Sequence, residues 1–382
     1  MKIAHIGDIH WGLNYPGPTP QSRFNDICTI MNWSADRIIE EGCELVLMAG
    51  DAFKDARVFI DRASIEIKAF ADWLRRLTSA GIDVIVISGT PSHDAVAAYE
   101  IIKEMLILGV KIHTVPAVET FNNVSIVCLP GMNRSGILTE EECRGLAPHV
   151  VHQIMTDRIT ETCQSLRNLC GYEPRILMGH LTFDMAEKGF EDVLMQHEPV
   201  LTREATEGFD LVLLGHIHRP QRNENVFYCG SPERLSFNDE HITPGFWIHE
   251  VGGSSRFIET PARQFYTAQW NERDVERYLD GNNLSFVFDG AITRIHYTCS
   301  EELNRRLNRK ALEKDLYDAG AFFVQEIKAD IQRTDRARDQ EVTESLGPVE
   351  TVGKWAVNQN IAQSEIEALQ RMTASLIEEV SA

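Results

Sequence analysis

Five apolar stretches of the chain each end in glycine, and an acid or a histidine follows directly or after a short turn. They are HIGDIH with Asp8 and His10, LMAGD with Asp51, VISGTPSHD with His93 and Asp94, LMGH with His180, and LLGHIH with His216 and His218. Oxygen and imidazole ligands without cysteine are typical of catalytic divalent-metal sites rather than of closed structural zinc sites. Two carboxylates and several imidazoles exceed the needs of one ion, so the set predicts two ions that share a bridging carboxylate.

Two such ions, about 3.5–4 Å apart, activate a water molecule and clamp the oxygens of an in-line phosphoryl displacement. Each motif alone carries little weight, because Asp-x-His occurs by chance and His-x-His is often a surface pair. The ordered set of five therefore carries the prediction of a two-metal phosphoesterase site. The remaining histidines are expected to be ordinary packed or surface residues: His5, His113, His149, His152, His197, His241, His249 and His296.

The apolar stretches alternate with helical patterns in the first part of the chain. Apolar runs at 2–7, 44–50 and 83–89 predict strands, and apolar residues at helical spacing predict helices at 23–41 and 56–80. This alternation predicts an α/β sheet covered by helices. Open α/β sheets place their sites beyond the carboxyl ends of the strands, so we expect the chemistry to gather along one edge of one sheet.

The later part of the chain predicts a different organisation, because the composition shifts after Gly252. ITRIHYTC, a helix over 301–318 and AFFVQEIKADI predict a small β-α-β unit. The polar residues 332–350 predict a linker, and 355–380 predict one amphipathic helix with an apolar stripe. The predicted domains are residues 1–252, 253–331 and 332–382.

The bulk composition limits the function classes. A net charge of −20, from 57 acidic and 37 basic residues, argues against a nucleic-acid binder that relies on a broad basic face. Bound metal ions can nevertheless create a local positive site. The eight cysteines form no C-x-x-C pair, so we expect reduced thiols and a cytoplasmic location. We expect no signal peptide and no membrane partner, since no apolar run has the length of a membrane span.

The order D-x-H, GD, an HD after a glycine turn, GH and GHxH resembles the pattern of the calcineurin-like metallophosphoesterases. More narrowly, MKIAHIGDIHWG and YCGSPERLSFNDE resemble the SbcD-type DNA exonuclease subunits of double-strand-break repair and recombination. The resemblance covers essentially the whole chain and is most specific in the first 250 residues. It implies a two-sheet αββα sandwich, a small α+β DNA-capping domain at 253–331 and a C-terminal partner-binding helix.

The resemblance also implies a role for each site residue. The implied metal ligands are Asp8, His10 and His218 for the first ion, His180 and His216 for the second, and Asp51 as the bridge. His93 would stabilise the transition state or protonate the leaving sugar oxygen, and Asp94 would orient its imidazole. Manganese is the implied metal, although the residues themselves select none among manganese, zinc, iron and magnesium.

One stretch departs from the family pattern. Members of the family have Gly-Asn-His-Asp here, and the asparagine amide oxygen binds the second metal ion. This chain has two more residues in the loop and Ser92 before His93. Ser92 is a poorer neutral ligand on a shorter arm. Either Ser92 or a backbone carbonyl of the longer loop reaches the second ion, or water fills the position.

The residues and the resemblance together predict a dimetal-dependent DNA nuclease. It would act as an exonuclease on duplex ends, with single-strand endonuclease activity as a further option. It would be a homodimer and the nuclease half of a complex with an SbcC-type ATPase. Two alternatives stay open: a phosphoesterase acting on small substrates, and a catalytically weak scaffold that binds DNA or a partner. The long extension after residue 252 argues against the first, and the retained histidines argue against the second.

Overall fold

A computed structural model of the protein describes residues 1–56, 60–187, 198–281, 289–332, 346–359 and 361–381. The first elements in chain order are β1 (Lys2–Ile6), α1 (Pro20–Glu40), β2 (Leu45–Ala49), α2 (Ile60–Ser79), β3 (Asp83–Ile87), α3 (Val96–Glu104), β4 (Val110–His113), β5 (Ala117–Phe121), β6 (Val124–Leu129), α4 (Arg134–Ile137), α5 (Glu140–Cys143) and α6 (Pro148–Asn168). The later elements are β7 (Arg175–His180), β8 (Thr182–Phe183), β9 (Val200–Leu201), α7 (Arg203–Thr206), β10 (Leu211–Gly215), β11 (Gln221–Asn223), β12 (Val226–Tyr228), β13 (Gly245–Glu250), β14 (Ser255–Glu259), β15 (Phe265–Trp270), α8 (Glu272–Leu279), β16 (Ile292–Ser300), α9 (Glu301–Arg306), α10 (Arg309–Asp318), β17 (Phe323–Gln332), α11 (Pro348–Asn358) and α12 (Gln363–Ser381).

Two six-stranded sheets carry the chemistry-bearing loops. The first has the order β14-β13-β1-β2-β3-β4, with β1 to β4 parallel and β13 and β14 antiparallel at one edge. The second has the order β11-β12-β10-β7-β6-β5, in which β12, β10, β7 and β6 are parallel. The central strands are buried on both faces, which explains why their sequences are continuous apolar runs rather than alternating ones.

The two sheets pack face to face between layers of helices. Leu47 and Ile85 of the first sheet belong to one buried cluster with Met178 and Leu213 of the second. On the outer face of the first sheet, apolar residues of α1, α2 and α3 form a second core. Apolar residues of α6, such as Ile159, cover the outer face of the second sheet. The predicted αββα sandwich is therefore confirmed.

The remaining strands form smaller sheets. β15, β16 and β17 form a three-stranded sheet in that order, and β8 pairs with β9 in parallel. By compactness the chain divides into two units: the first contains both six-stranded sheets, and the second contains α8, α9, α11 and α12. β14 pairs with β13, so the first sheet continues past the boundary predicted after residue 252. The predicted linker falls mostly on 333–345, which lie outside the described residues.

The helix predicted over 301–318 is divided into α9 and α10, because the chain leaves the helical conformation at Leu307. The C-terminal helix predicted over 355–380 is also two helices, α11 and α12. The amide of Ile361 donates to the carbonyl of Ala356 at 3.1 Å and closes the end of α11. In the part of the chain that the structure describes, every helix is too short or too polar to cross a bilayer.

α11 and α12 pack closely against each other. A Cβ atom on Gly353 of α11 would lie 2.1 Å from Nε2 of Gln370 in α12, so a larger residue there would require the Gln370 side chain to move. Ala356 and Ile366 are buried, whereas Leu376 and Val380 of the predicted apolar stripe are exposed. One part of the stripe is therefore used within the helix pair, and its C-terminal part is not.

Candidate metal centre

The predicted ligands lie at the carboxyl ends of five strands that belong to both six-stranded sheets. The first sheet contributes Asp8 and His10 after β1, Asp51 after β2 and His93 after β3, and the second contributes His180 at the end of β7 and His216 and His218 after β10. The expectation of one edge of one sheet was wrong in this respect. Because the sheets pack face to face, the carboxyl ends of strands from both sheets meet at one site.

The donor atoms form three overlapping groups, within each of which all atoms lie within 4.8 Å of one another. The groups are Asp8, His10 and His218; Asp8, Asp51 and His180; and His93, His180 and His216. Asp51 lies between them, with Oδ1 3.2 Å from Nε2 of His180 and Oδ2 3.2 Å from Nε2 of His93. This is the position expected of a carboxylate that bridges two ions.

Several of these residues have a strained backbone. In the described chain, four of the eight non-glycine residues with positive φ are predicted ligands: Asp8 (52°), His10 (55°), Asp51 (49°) and His216 (97°). Such conformations cost on the order of 1–3 kcal/mol each and persist only where the surroundings hold them. The amide of Asp8 donates to the carbonyl of Gly50 at 3.1 Å, and that of His10 to the carbonyl of Asp51 at 3.1 Å. The amide of His216 donates to both Asp8 oxygens, at 2.9 and 3.0 Å.

Two glycines allow the loops to approach this closely. A Cβ atom on Gly50, which has a φ of +88°, would lie 2.4 Å from Nδ1 of His180, and one on Gly89 would lie 1.7 Å from Oδ1 of Asp51. Nδ1 of His180 is 2.7 Å from the carbonyl oxygen of Ala49 and donates its proton there. This hydrogen bond orients the ring so that Nε2 faces Asp51, as is typical of metal-binding histidines.

Within the described ranges, the site residues leave donor atoms without hydrogen-bond partners, and divalent ions would bind these atoms. Among the described residues, Oδ1 of Asp51 and Nε2 of His180 and of His216 are buried without a hydrogen-bond partner. Nε2 of His10 faces Nε2 of His218 at 3.3 Å, where at most one ring can donate to the other. Buried carboxylates and unpaired nitrogens cost free energy unless a cation binds them. Oxygen and imidazole donors suit borderline and hard divalent cations.

Burial and neighbouring charges set the protonation of these groups. Burial raises the pKa of Asp8 to about 6 and lowers the pKa of His10 to about 3. Burial also lowers the pKa of His180, but the charge of Asp51 outweighs it and the pKa rises to about 10. The Asp51 carboxylate, whose Oδ1 lies 3.2 Å from Nε2 of His180, thus favours the charged form of this imidazole.

His93 lies at the entrance of the site, where its side chain is 39% exposed. Its ring stacks on that of His216, with centroids 6.0 Å apart and planes at 24°. The exposed Ser92 contacts Nδ1 of His93 through Oγ at 3.1 Å. The hydroxyl of Ser92 is therefore engaged with the imidazole rather than with the other donors.

Asp94 is buried, and its carboxylate accepts four hydrogen bonds. The donors are the amides of Phe53, Gly89 and Ala95 and the hydroxyl of Tyr99, at 2.6–3.1 Å. The expectation that Asp94 orients the His93 imidazole is thus corrected, because the buried carboxylate accepts its hydrogen bonds from its own loop, from Phe53 after β2 and from Tyr99 of α3. Asp51 and Ser92 contact the ring instead. Asp94 braces the loop that carries His93.

A cavity of about 850 Å³ opens over the donor atoms. Leu146, Val151 and Met155 give its far wall an apolar surface, and Arg134 also lines it. The sequence reasoning missed Glu198, whose Oε2 lies 3.2 Å from Nε2 of His216 in the same cavity. No glycine-ended apolar run precedes Glu198, so the signal that marks the other residues is missing.

Comparison with known proteins agrees with this geometry. A model of the calcineurin-like phosphoesterase family matches residues 1–220. The SbcD component of the nuclease SbcCD from Escherichia coli K12 is 23% identical over 278 residues, which cover 68% of this chain and 67% of that protein. Its counterpart from Escherichia coli O157:H7 gives the same values. The solved structure of an archaeal phosphodiesterase aligns with a TM-score of 0.33 and 13% identity, covering 68% of this chain and 99% of that one.

Proposed function

This chain belongs to the calcineurin-like phosphoesterase family, and from that premise we propose that it is a dimetal-dependent DNA nuclease. It would hydrolyse phosphodiester bonds at duplex ends, as the nuclease half of a complex with an SbcC-type ATPase. The observation that carries the proposal is the convergence of carboxylates and imidazoles from two sheets, with buried donor atoms that lack partners among the described residues. We propose manganese as the metal from the family resemblance alone.

The site residues divide into two ligand sets and one proton donor. The proposed ligands are Asp8, His10 and His218 for one ion, and His180 and His216 for the other, with Asp51 as the bridge. Two divalent ions would supply an activated water and neutralise charge on the phosphoryl oxygens. As the water oxygen bonds to phosphorus, the bond to the leaving sugar oxygen would break. His93, half-exposed and in contact with Asp51 and Ser92, would give that oxygen its proton.

The cavity supports a nucleic-acid substrate. Its volume of about 850 Å³ exceeds what a phosphate group fills. The apolar wall of Leu146, Val151 and Met155 offers a surface against which a nucleobase can pack, and Arg134 offers a phosphate contact. With a net charge of −20, DNA binding would depend on the metal ions and such local cations. The similarity to a nuclease component supports a nucleic acid over other diesters.

The proposal includes two protein partners. Exposed apolar residues of α12, Leu376 and Val380, offer a docking surface for the ATPase. A second apolar patch follows α3, where Leu106 is 85% and Leu108 is 91% exposed. We propose that this patch forms a homodimer, and that Leu108→Glu converts dimer to monomer in sedimentation experiments. A cytoplasmic location fits the eight free cysteines.

The test compares end-labelled duplex DNA with a chromogenic phosphodiester, each with and without manganese. We expect manganese-dependent degradation of the duplex, and its loss in Asp8→Asn. His149→Ala is the matched control, since His149 is exposed on α6 and, among the described residues, neither lines the cavity nor belongs to a donor group. Activity in Asp8→Asn equal to wild type would point to a contaminating nuclease and would count against the proposal.

The small-substrate phosphoesterase remains the second candidate, because a cavity of about 850 Å³ also accommodates a single nucleotide. The same experiment separates the two functions. Hydrolysis of the chromogenic diester and of cyclic nucleotides, without any cleavage of DNA, would favour the small-substrate enzyme. Metal-dependent DNA binding without hydrolysis of either substrate would favour the scaffold.

A further inference from the structure

The loop after β3 is where the family resemblance implies an oxygen ligand for the second proposed ion. In this loop Oγ of Ser92 contacts Nδ1 of His93 at 3.1 Å. The carbonyl of Thr90 accepts hydrogen bonds from the amides of His93 and Asp94, at 3.0 and 2.8 Å. The carbonyl of Ser88 accepts one from Gly131, which follows β6, at 3.0 Å. These three oxygens thus already contact other groups of the protein.

A carboxylate from another part of the chain lies at the same place. Oε2 of Glu198 is 3.2 Å from Nε2 of His216, and both nitrogen and carboxylate line the cavity. Nε2 of His216 has no partner of hydrogen-bond geometry among the described residues. His216 also groups with His93 and His180 within 4.8 Å. The carboxylate therefore approaches the imidazole nitrogens that would hold the second ion.

The strand pairing after Glu198 explains why it lies there. β8 begins two residues after His180, and β9 begins two residues after Glu198. Thr182 of β8 pairs with Val200 of β9, so Glu198 and His180 each lie two residues before a residue of the same pair. The amide of Val200 also donates to Oγ1 of Thr156 at 3.3 Å, which ties β9 to α6. The backbone thus holds Glu198 beside His180.

Glu198 is a largely buried carboxylate that a nearby cation would stabilise. Its side chain is only 12% exposed. Among the described residues no lysine or arginine forms an ion pair with it. A buried carboxylate without a cationic side chain is costly, and a metal ion removes that cost.

We propose that Glu198 supplies the oxygen ligand of the second metal ion that the Ser92 loop does not supply. The inference rests on the proposed two-metal function and assigns one of its ligands to a segment outside the family motifs. A carboxylate in place of a neutral oxygen adds negative charge to the second site. The second ion would then be held tightly, despite the altered loop.

The experiment measures metal binding rather than activity. Metal-free full-length protein is titrated with Mn²⁺ by calorimetry, and the bound ions are examined by electron paramagnetic resonance, which distinguishes a coupled ion pair from isolated ions. We expect Glu198→Ala to weaken the second site at least about tenfold and to abolish the coupled-pair signal. Glu198→Gln keeps an amide oxygen and should lie between Glu198→Ala and wild type. Glu204→Ala, an exposed glutamate on α7, is the matched control and should bind as wild type.

The outcomes separate this inference from the proposed function. Two ions bound by Glu198→Ala with wild-type affinity would overturn the inference alone. Loss of the second ion in Ser92→Ala, but not in Glu198→Ala, would also overturn it and assign the ligand to the loop. A wild-type chain that binds only one ion would overturn both the inference and the two-metal function. Thermal unfolding of each metal-free variant establishes that the chain remains folded.

Discussion

Gly89 lies against Asp51 so closely that a Cβ atom on it would fall 1.7 Å from the carboxylate Oδ1. Because no side chain fits there, Gly89→Ala should displace the carboxylate of Asp51, the proposed bridging ligand. Displacement by about 1 Å costs on the order of 10²-fold in rate, and we expect a loss of that size together with weaker Mn²⁺ binding. Steady-state kinetics and calorimetry check both effects. Gly171→Ala is the control, because a Cβ atom there meets nothing within 4 Å; equal kinetics for the two variants would contradict the steric argument.

Asp51 and His93 are in contact, but substitutions at the two residues should affect metal binding differently. Asp51→Asn removes the charge of the proposed bridging carboxylate, so it should lower metal occupancy as well as activity. His93→Ala removes the proposed proton donor and should keep both ions while losing about 10²- to 10⁴-fold in rate. Metal analysis of the two purified variants beside single-turnover kinetics tests this difference. Equal metal loss in both variants would make His93 a ligand, in line with its grouping with His180 and His216.

Glu233 should make stability depend on pH. It is buried, with Oε1 accepting the amide of Arg234 at 2.8 Å and lying 3.6 Å from Arg23. Burial raises the pKa of Glu233 to about 7, although Arg23 opposes this and Asp26 adds to it. A raised carboxyl pKa stabilises the folded chain below the unfolded pKa, and this contribution is lost as pH rises through 7.

Between pH 4 and 8, wild type should therefore lose up to roughly 3 kcal/mol of unfolding free energy relative to Glu233→Gln. Urea unfolding at stepped pH measures the difference between the two proteins. The exposed Glu224→Gln serves as control and should show no such trend. A difference that stays constant across this pH range would refute the assignment of the buried proton to Glu233.

The exposed face of α12 should mediate binding of the ATPase. Leu376→Asp places a charge on this face and should abolish complex formation with an SbcC-type ATPase in a pull-down. DNA cleavage by the isolated chain should be unchanged, because α12 contributes none of the donor groups. Glu367, about two and a half turns before Leu376, lies on the opposite side of the same helix, and Glu367→Ala is the control. Complex formation by Leu376→Asp at wild-type level would place the partner elsewhere.

The chain's local patterns predict much of the catalytic layer. A buried strand, a glycine and a polar residue follow one another at Asp8, Asp51, His180 and His216, and each step depends only on neighbours in sequence. These side chains therefore come together once the strands pair and the two sheets pack face to face. Site roles that rest on the family resemblance, including that of His93, stay predictions.

Other features depend on contacts between distant segments and leave no such local pattern. Glu198 reaches the site through the pairing of β8 with β9, which no periodicity marks. The carboxylate of Asp94 accepts hydrogen bonds from Tyr99 and from backbone amides because it is buried. Burial depends on contacts between distant parts of the chain, which the local sequence does not show. The break between α11 and α12 has no proline or glycine to signal it, so one continuous apolar stripe predicted one helix.

The hydrogen bonds from the amide of His216 to Asp8 join residues 208 positions apart. During synthesis Asp8 leaves the ribosome early. Its carboxylate lacks the amide of His216 as a hydrogen-bond donor until the segment after β10 has been synthesised. Half of the proposed ligands, and the backbone contact that fixes the first of them, arrive only with the second sheet. A chain that ends before His216 therefore lacks ligands of both proposed ions, and hydrolytic competence would begin only after the second sheet has been synthesised.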